Sequence, residues 1–375
     1  MEKTDFLVIG SGVAGASAAY ELSKTAKVLV AEREAAHGVH TTGRSAALYS
    51  AAYGNAVIRA LTLASRGFYD SPPAGFADYP LLTPRGCLYI ATAEQGAALA
   101  EIEAAAVGSG VAMQRVDAAR ALSLCPILKA DHVAEAVYEP DAMDIDVQAL
   151  HQGFLKGIKA HGGEARLDAE VVGLTHAHDR WIADFRDGSQ VSAHTVIDAA
   201  GAWADIVAAL AGVAPIGLQP KRRTALILEA PPGVTPGPWP AVIDADEQFY
   251  FKPEAGRILA SPADETPSEP CDAQPEEWDI AVCVDRVQSA ADLPVRRVLR
   301  SWAGLRSFVA DRSPVIGHDP AAPGFFWLAG QGGYGVQTAP AAGRVAAALA
   351  LGEALPEDVA ALGVTSAMLS PSRLR

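Results

Sequence analysis

Short runs of apolar and β-branched residues alternate in this chain with longer stretches whose apolar residues recur every three or four positions. That alternation predicts strands interleaved with helices. The first instance is the clearest. Phe6-Leu7-Val8-Ile9 predicts a buried strand, 16–23 a helix with small residues facing back, and 27–31 a second strand closed by Glu32. Helical spacing recurs over 57–69, 94–106, 116–122 and 146–159, with Asp117 and Asp146 as N-caps of the last two. Strand patterns fall at 87–92, 133–138 and 195–198, and 181–192 predicts a hairpin about Asp187-Gly188. The segments 218–230 and 247–261 are strand-rich, 302–309 resumes order after an acidic, proline-bearing stretch, and 324–329 is a last strand before an alanine-rich helix through 351.

The turn between the first strand and helix carries chemistry. Gly10-Ser11-Gly12-Val13-Ala14-Gly15 is the dinucleotide-binding spacing in its strand–turn–helix context. Gly10 permits the tight turn, Gly12 lets backbone approach a pyrophosphate, and Gly15 lets the helix pack on the sheet. The helix N-terminus offers N–H groups and positive dipole to phosphates. Glu32, 22 residues after Gly10, can accept from ribose hydroxyls and repels a 2′-phosphate, so FAD or NAD fits and NADP fits poorly. The loop Thr41-Thr42-Gly43-Arg44-Ser45-Ala46-Ala47 follows closely and offers further donors. Gly330-Gln331-Gly332-Gly333-Tyr334-Gly335 is a second strand–glycine–helix element, suited to another anionic or carbonyl group. An α/β fold is expected, with a discontinuous nucleotide domain (1–80, 145–215 and 310–375) of the FAD-binding Rossmann-like type. An antiparallel-sheet substrate domain (81–144 and 216–309) interleaves with it.

Composition narrows the partners. The 375 residues are half hydrophobic, enough for a large core. A net charge of −14 argues against nucleic acid and anionic membranes. No apolar run reaches the ~18 residues of a membrane span, and the N-terminus lacks the basic region of a signal peptide, so a cytoplasmic protein is expected. The four cysteines lack Cys-x-x-Cys spacing and read as reduced. His37, His40, His176 and His178 form pairs without further ligands nearby, so no metal is expected.

The glycine turn with Glu32, the Thr42-Gly43-Arg44-Ser45-Ala46 loop, Ala200-Gly201-Ala202-Trp203 and Gly332-Gly333-Tyr334-Gly335 together resemble the D-amino-acid oxidase family of FAD-dependent oxidoreductases. The likeness spans nearly the whole chain, with the bacterial D-arginine dehydrogenases as the nearest branch. It implies oxidative deamination of a D-amino acid through an imino acid to the 2-oxo acid and ammonia. Oxygen or a quinone-like acceptor would take the electrons onward. Secondary or cyclic amines are the alternative substrates, and a nucleotide-binding protein without turnover is the alternative from another class.

Carried over by position, the resemblance places the substrate carboxylate on Arg222 and Arg306, beside Tyr53 and Tyr250. It places the amine near the carbonyls of Gly304 and Gly333. A guanidinium fork suits a carboxylate in a dry site. Leu48 and Cys87 replace polar residues of the arginine-specific branch and predict a neutral, apolar substrate side chain, branched or aromatic. Motif and resemblance together set FAD against Gly10, Gly12, Val13, Ala14, Gly15, Glu32, Arg33, Thr41, Thr42, Gly43, Arg44, Ser45, Ala46, Ala47, Val171, Ala200, Gly201 and Trp203. At the far end they add Arg306, Gly332, Gly333, Tyr334, Gly335, Val336 and Gln337. No cysteine lies between Arg306 and Gln337, so the flavin is expected to be held without a covalent bond.

Overall fold

The computed structural model describes residues 1–375. One sheet of eight strands is built around Glu2–Ile9, which pairs in parallel with Val28–Ala31 on one side and Gln190–Asp198 on the other. The register sets Ile9 opposite both Ala31 and Asp198. Phe325–Ala329 lies parallel beside the end of Gln190–Asp198. Four strands therefore finish at one edge, and the residues that follow them (Gly10, Glu32, Ala199 and Gly330) open the crevice there. Parallel strands place ligands at their carboxyl ends in this way. The helices Val13–Leu22 and Gly335–Ala350 pack together against this sheet. Gly343 sits so close to Ser17 that a Cβ would meet it at 2.8 Å.

A second sheet of nine strands runs from Thr266–Pro267 through Gln219–Leu228, Arg257–Ser261, Tyr250–Glu254, Ala241–Asp244, Cys87–Ala91 and Glu135–Glu139 to Gln114–Asp117. Val298–Phe308 pairs antiparallel along the whole of Gln219–Leu228. The small sheet Leu48–Tyr49, Met143–Ile145, Leu82–Pro84 lies in the segments between them. No helix is long and apolar enough to cross a membrane.

Two sequence expectations change. The helix predicted over 116–122 is Ala118–Leu124, because Gln114–Asp117 is drawn into the sheet by Glu135–Glu139. Asp117 still caps it, accepting from Arg120 N–H at 2.8 Å. The acidic stretch before 302 contains the helix Glu277–Ala290, which buries Asp279, Cys283, Val287 and Ala290 on one stripe.

Asp198 ends the central strand with no exposed surface. One carboxyl oxygen accepts from Ala200 N–H at 3.1 Å, and the other has no partner. Burial, with Asp205 adding to it, pushes this carboxyl well above its ordinary value. The native state thus holds a proton that the unfolded chain releases from about pH 4 upward. Its contribution is present at low pH and is lost as pH rises towards the native value. Asp198→Asn is expected to remove that slope. The Tm advantage of the variant over the wild type should grow between pH 5 and pH 8, as calorimetry would record; a constant difference would mean that Asp198 does not titrate with folding.

Candidate active site

The glycine turn is shaped by packing. Gly10 has φ 101°, and a Cβ on Gly15 would lie 2.0 Å from the Gly10 carbonyl oxygen. The first helix can reach the sheet only with glycine there. The N-cap residue, Gly12, has no side chain to cap that helix, and of its first N–H groups only Val13's is taken by a side chain, Thr42 Oγ1 at 3.0 Å. The helix Gly335–Ala350 likewise starts without a side-chain cap. Both sets of N–H groups face a cleft of about 480 Å³.

Most residues expected at the cofactor line this cleft: Gly10, Gly12, Val13, Ala14, Glu32, Arg33, Thr41, Thr42, Arg44, Ser45, Ala46, Val171, Ala200, Gly201, Trp203, Arg306, Gly332, Gly333, Gly335 and Val336. Ala47 and Gln337 line an adjoining chamber instead. Three others lie behind the wall. Gly15 is the packing residue just described, Gly43 N–H closes its loop onto the Gly38 carbonyl at 2.8 Å, and Tyr334 meets Tyr53 edge to face with ring centres 4.9 Å apart. Glu32 accepts from Ser11 N–H and Oγ at 3.0 and 2.7 Å and from Glu34 N–H at 3.0 Å. Of roughly four acceptor positions on a carboxylate, one stays open for a ribose hydroxyl. His40 and Arg33 flank Trp203, at 4.8 and 4.7 Å. Uncapped helix ends, an open carboxylate position and a long cleft fit a dinucleotide flavin. His151, bonded to the Ser11 carbonyl at 2.7 Å, and His37, bonded to Ser11 Oγ at 2.8 Å, brace the turn. Neither role shows in the spacing of the sequence.

At the other end of the cleft, the strands Gln219–Leu228 and Val298–Phe308 set the chemistry. Arg223 pairs with Gly304, Lys221 with Arg306 and Arg222 with Leu305. Residues opposite each other share a face, and the face alternates along each strand. Arg223, Gly304 and Arg306 therefore face the cleft, and all three line it. Arg222, expected in the clamp, faces the other way. Its Nη2 and Nε bond Asp279 Oδ2 at 2.9 and 3.2 Å, and Nη1 bonds Glu276. The second guanidinium at the site is that of Arg223.

Arg306 donates to Tyr53 Oη at 3.4 Å and has no ion-pair partner. The surface it leaves exposed is cleft wall. A Cβ on Gly333 would stand 2.7 Å from its guanidinium carbon, so this group packs on bare backbone. Arg223 is buried; its Nε donates to the Asp264 carbonyl at 2.8 Å, and it reaches Glu265 only at 3.5 Å. Arg312 at 2.7 and 3.0 Å, and Lys221 at 2.8 Å, hold Glu265 at about 2. Burial, then the charge of Arg306, push the Arg223 guanidinium down from its ordinary value. Arg306 thus faces the cleft without an ion pair, and Arg223 beside it has only the long contact to Glu265, an arrangement suited to an anion.

Arg223, Arg306, Tyr250 and Gly333 lead from the cleft into a chamber of about 90 Å³, whose wall includes Tyr53, Leu48, Ala241, Ile243 and Phe249. Its volume is below the roughly 150 Å³ that an aromatic ring fills. Lys252 also lines the chamber, but Asp144 and Glu254 pair with it at 2.7 and 3.2 Å. Cys87 does not line the chamber. It is fully buried in the sheet, opposite Glu139. The apolar part of the wall comes from Leu48 and its neighbours, and further along the same sheet, opposite Cys87, stands the carboxylate of Glu139.

A family model described as FAD dependent oxidoreductase matches residues 5–349. The FAD-dependent oxidoreductase domain-containing protein 1 of Bos taurus is 26% identical over 93% of this chain and 82% of its own. Among solved structures, glycine oxidase from Geobacillus kaustophilus superposes with a TM-score of 0.83, at 23% identity over 94% of this chain and 96% of that one. L-proline dehydrogenase from P. horikoshii gives a TM-score of 0.81, at 22% identity over 99% and 98%. These likenesses reach family and fold, and do not single out the D-arginine dehydrogenases. With the glycine turn, the uncapped helix ends and the cleft between them, they establish that the chain belongs to the FAD-dependent oxidoreductases of the D-amino-acid oxidase type.

Proposed function

We propose that this chain oxidises a small, neutral D-amino acid to the imino acid, which water hydrolyses to the 2-oxo acid and ammonia. The observation that carries this reading is the Arg306 guanidinium, facing the cleft with no ion-pair partner. FAD, when bound, supplies the hydride acceptor. Arg306 and Arg223 hold the substrate carboxylate, and the hydroxyls of Tyr53 and Tyr250 add donors. The carbonyls of Gly304 and Gly333 accept from the amine and favour its neutral form. The chamber takes the side chain. No general base is required of the wall, because Cα–H leaves as hydride while the amine lone pair forms the C=N bond. The protein contributes orientation and charge placement. On this reading 1–80, 145–215 and 310–375 form the cofactor domain, and 81–144 with 216–309 the substrate domain.

A side chain of D-alanine to D-leucine size gains apolar burial in the chamber. The ammonium of D-lysine or the guanidinium of D-arginine meets Lys252, and the one carboxylate among the lining residues, Glu247, is exposed to solvent, where a pair is weak. Small neutral D-amino acids are expected to exceed D-arginine and D-lysine in kcat/KM by at least about tenfold. Anaerobic bleaching of the FAD-loaded protein with a panel of D-amino acids and N-methyl or cyclic amino acids tests this. The second reading, a secondary or cyclic amine, is favoured by the tight chamber and would show as faster bleaching by those compounds. A protein that binds FAD but is bleached by no member of the panel would overturn both.

The flavin is expected to be free of covalent attachment, since the four cysteines lie outside 306–337. Acid precipitation of the yellow protein should leave all colour in the supernatant, and colour in the pellet would contradict this.

A further inference from the structure

Behind the clamp lies a buried carboxylate that the mechanism above does not use. Glu139 ends the strand Glu135–Glu139 and is 1% exposed. It accepts from Ser50 Oγ at 2.6 Å, from Ala51 N–H at 2.8 Å and from Ala52 N–H at 3.4 Å. No cation lies within ion-pair distance of it, and burial pushes its carboxyl above the ordinary range. A buried acid held by uncharged donors alone is costly. Its three donors all belong to one short turn.

That turn runs directly into Tyr53, whose N–H donates to the Ser50 carbonyl at 3.3 Å. Tyr53 Oη in turn receives Arg306 Nη1. From the opposite side Gln337 Oε1 accepts from Ser50 N–H at 3.3 Å, while its Nε2 donates to Thr62 Oγ1 at 2.9 Å. The turn is thus suspended between the second sheet, through Glu139, and the helix Gly335–Ala350, through Gln337. A shift of about 1 Å in such a support can cost two orders of magnitude in rate.

We propose that Glu139 is a positioning residue for the substrate-carboxylate clamp, acting through the Ser50–Ala52 turn on Tyr53 and through Tyr53 on Arg306. This rests on the reading of Arg306 as the carboxylate ligand. Glu139 touches no substrate; it fixes where the tyrosine hydroxyl stands.

The test uses the FAD-loaded protein and titrates propionate, a non-reacting carboxylate, by the change in flavin absorbance. Arg306→Met must weaken propionate binding; if it does not, the clamp itself is misassigned, whatever Glu139 does. Given that loss, Glu139→Ala is expected to weaken propionate binding about tenfold, with the FAD dissociation constant unchanged. Glu139→Gln keeps one acceptor oxygen for Ala51 and Ala52 and an amide that donates to Ser50 Oγ, so it should restore binding to within about threefold. The decisive readout is coupling. Tyr53→Phe in the Glu139→Ala background should add little, because the hydroxyl is already displaced. Additive effects, or an Ala variant that binds propionate normally, would overturn the proposal. If Glu139→Ala fails to fold, the same cycle is run with Glu139→Met, which keeps the side-chain length but accepts no hydrogen bond, and Tyr53→Phe, where additivity again overturns it.

Discussion

Arg306→Met should keep its FAD and lose its substrate. Methionine preserves the aliphatic packing against Gly333 but removes the fork that faces the cleft. A carboxylate then enters a site whose remaining cation, Arg223, is buried in the wall. Truncating one partner of a buried charge pair costs about 2–5 kcal/mol, or roughly 30- to 4000-fold in kcat/KM. Most of the loss should fall on KM if the contact is made equally in ground and transition states. Arg306→Lys should recover only part of it, since an ammonium lacks the planar, two-pronged geometry. Flavin content by absorbance and steady-state kinetics with the best substrate of the panel decide the matter. Near-normal kcat/KM in Arg306→Met would place the carboxylate elsewhere.

The adjacent arginines should separate cleanly. Arg223→Met is expected to lower kcat/KM by about 10- to 100-fold, the range of one charge-assisted bond, while leaving the fold in place. Arg222→Met should do the reverse. It leaves Asp279, almost entirely buried, without its cation, with Asp264 and Glu276 close by. Removing one member of such a pair costs on the order of 3 kcal/mol of stability, seen as a lower Tm with kcat/KM close to wild type below the transition. The two variants differ by one position in one strand, so the comparison tests the face assignment itself. Equal kinetic losses from both would show that the strand does not present Arg223 alone to the substrate.

The nucleotide half of the molecule was largely legible from the chain. The glycine spacing, the strand before it, the helix after it and Glu32 are local in sequence, and each is dictated by sterics at one turn. Asp117 and Asp146 declared their helices because a cap is also a local device. The substrate half was less legible. Three consecutive basic residues, Lys221-Arg222-Arg223, carry no mark of which one faces inward. Cys87 read as a pocket residue by position alone, although it is fully buried one strand beyond the chamber wall, opposite Ala241. Glu139 carried no signal at all, because nothing near it in sequence needs a buried carboxylate. Its donors are more than eighty residues away.

The sequence by itself therefore determined the α/β class, the strand–glycine–helix cradle and its suitability for FAD, all set by periodicity and backbone sterics within some thirty residues. Only the tertiary structure decided the chemistry at the substrate end. The register between Gln219–Leu228 and Val298–Phe308 chose Arg223 over Arg222, because side chains alternate faces every residue and a slip of one exchanges them all. The packing of the second sheet against the Ser50–Ala52 turn decided that Glu139 holds that turn and that the chamber has a volume of about 90 Å³. Such pairings join segments far apart in the chain, and no local pattern encodes which side chains they bring face to face.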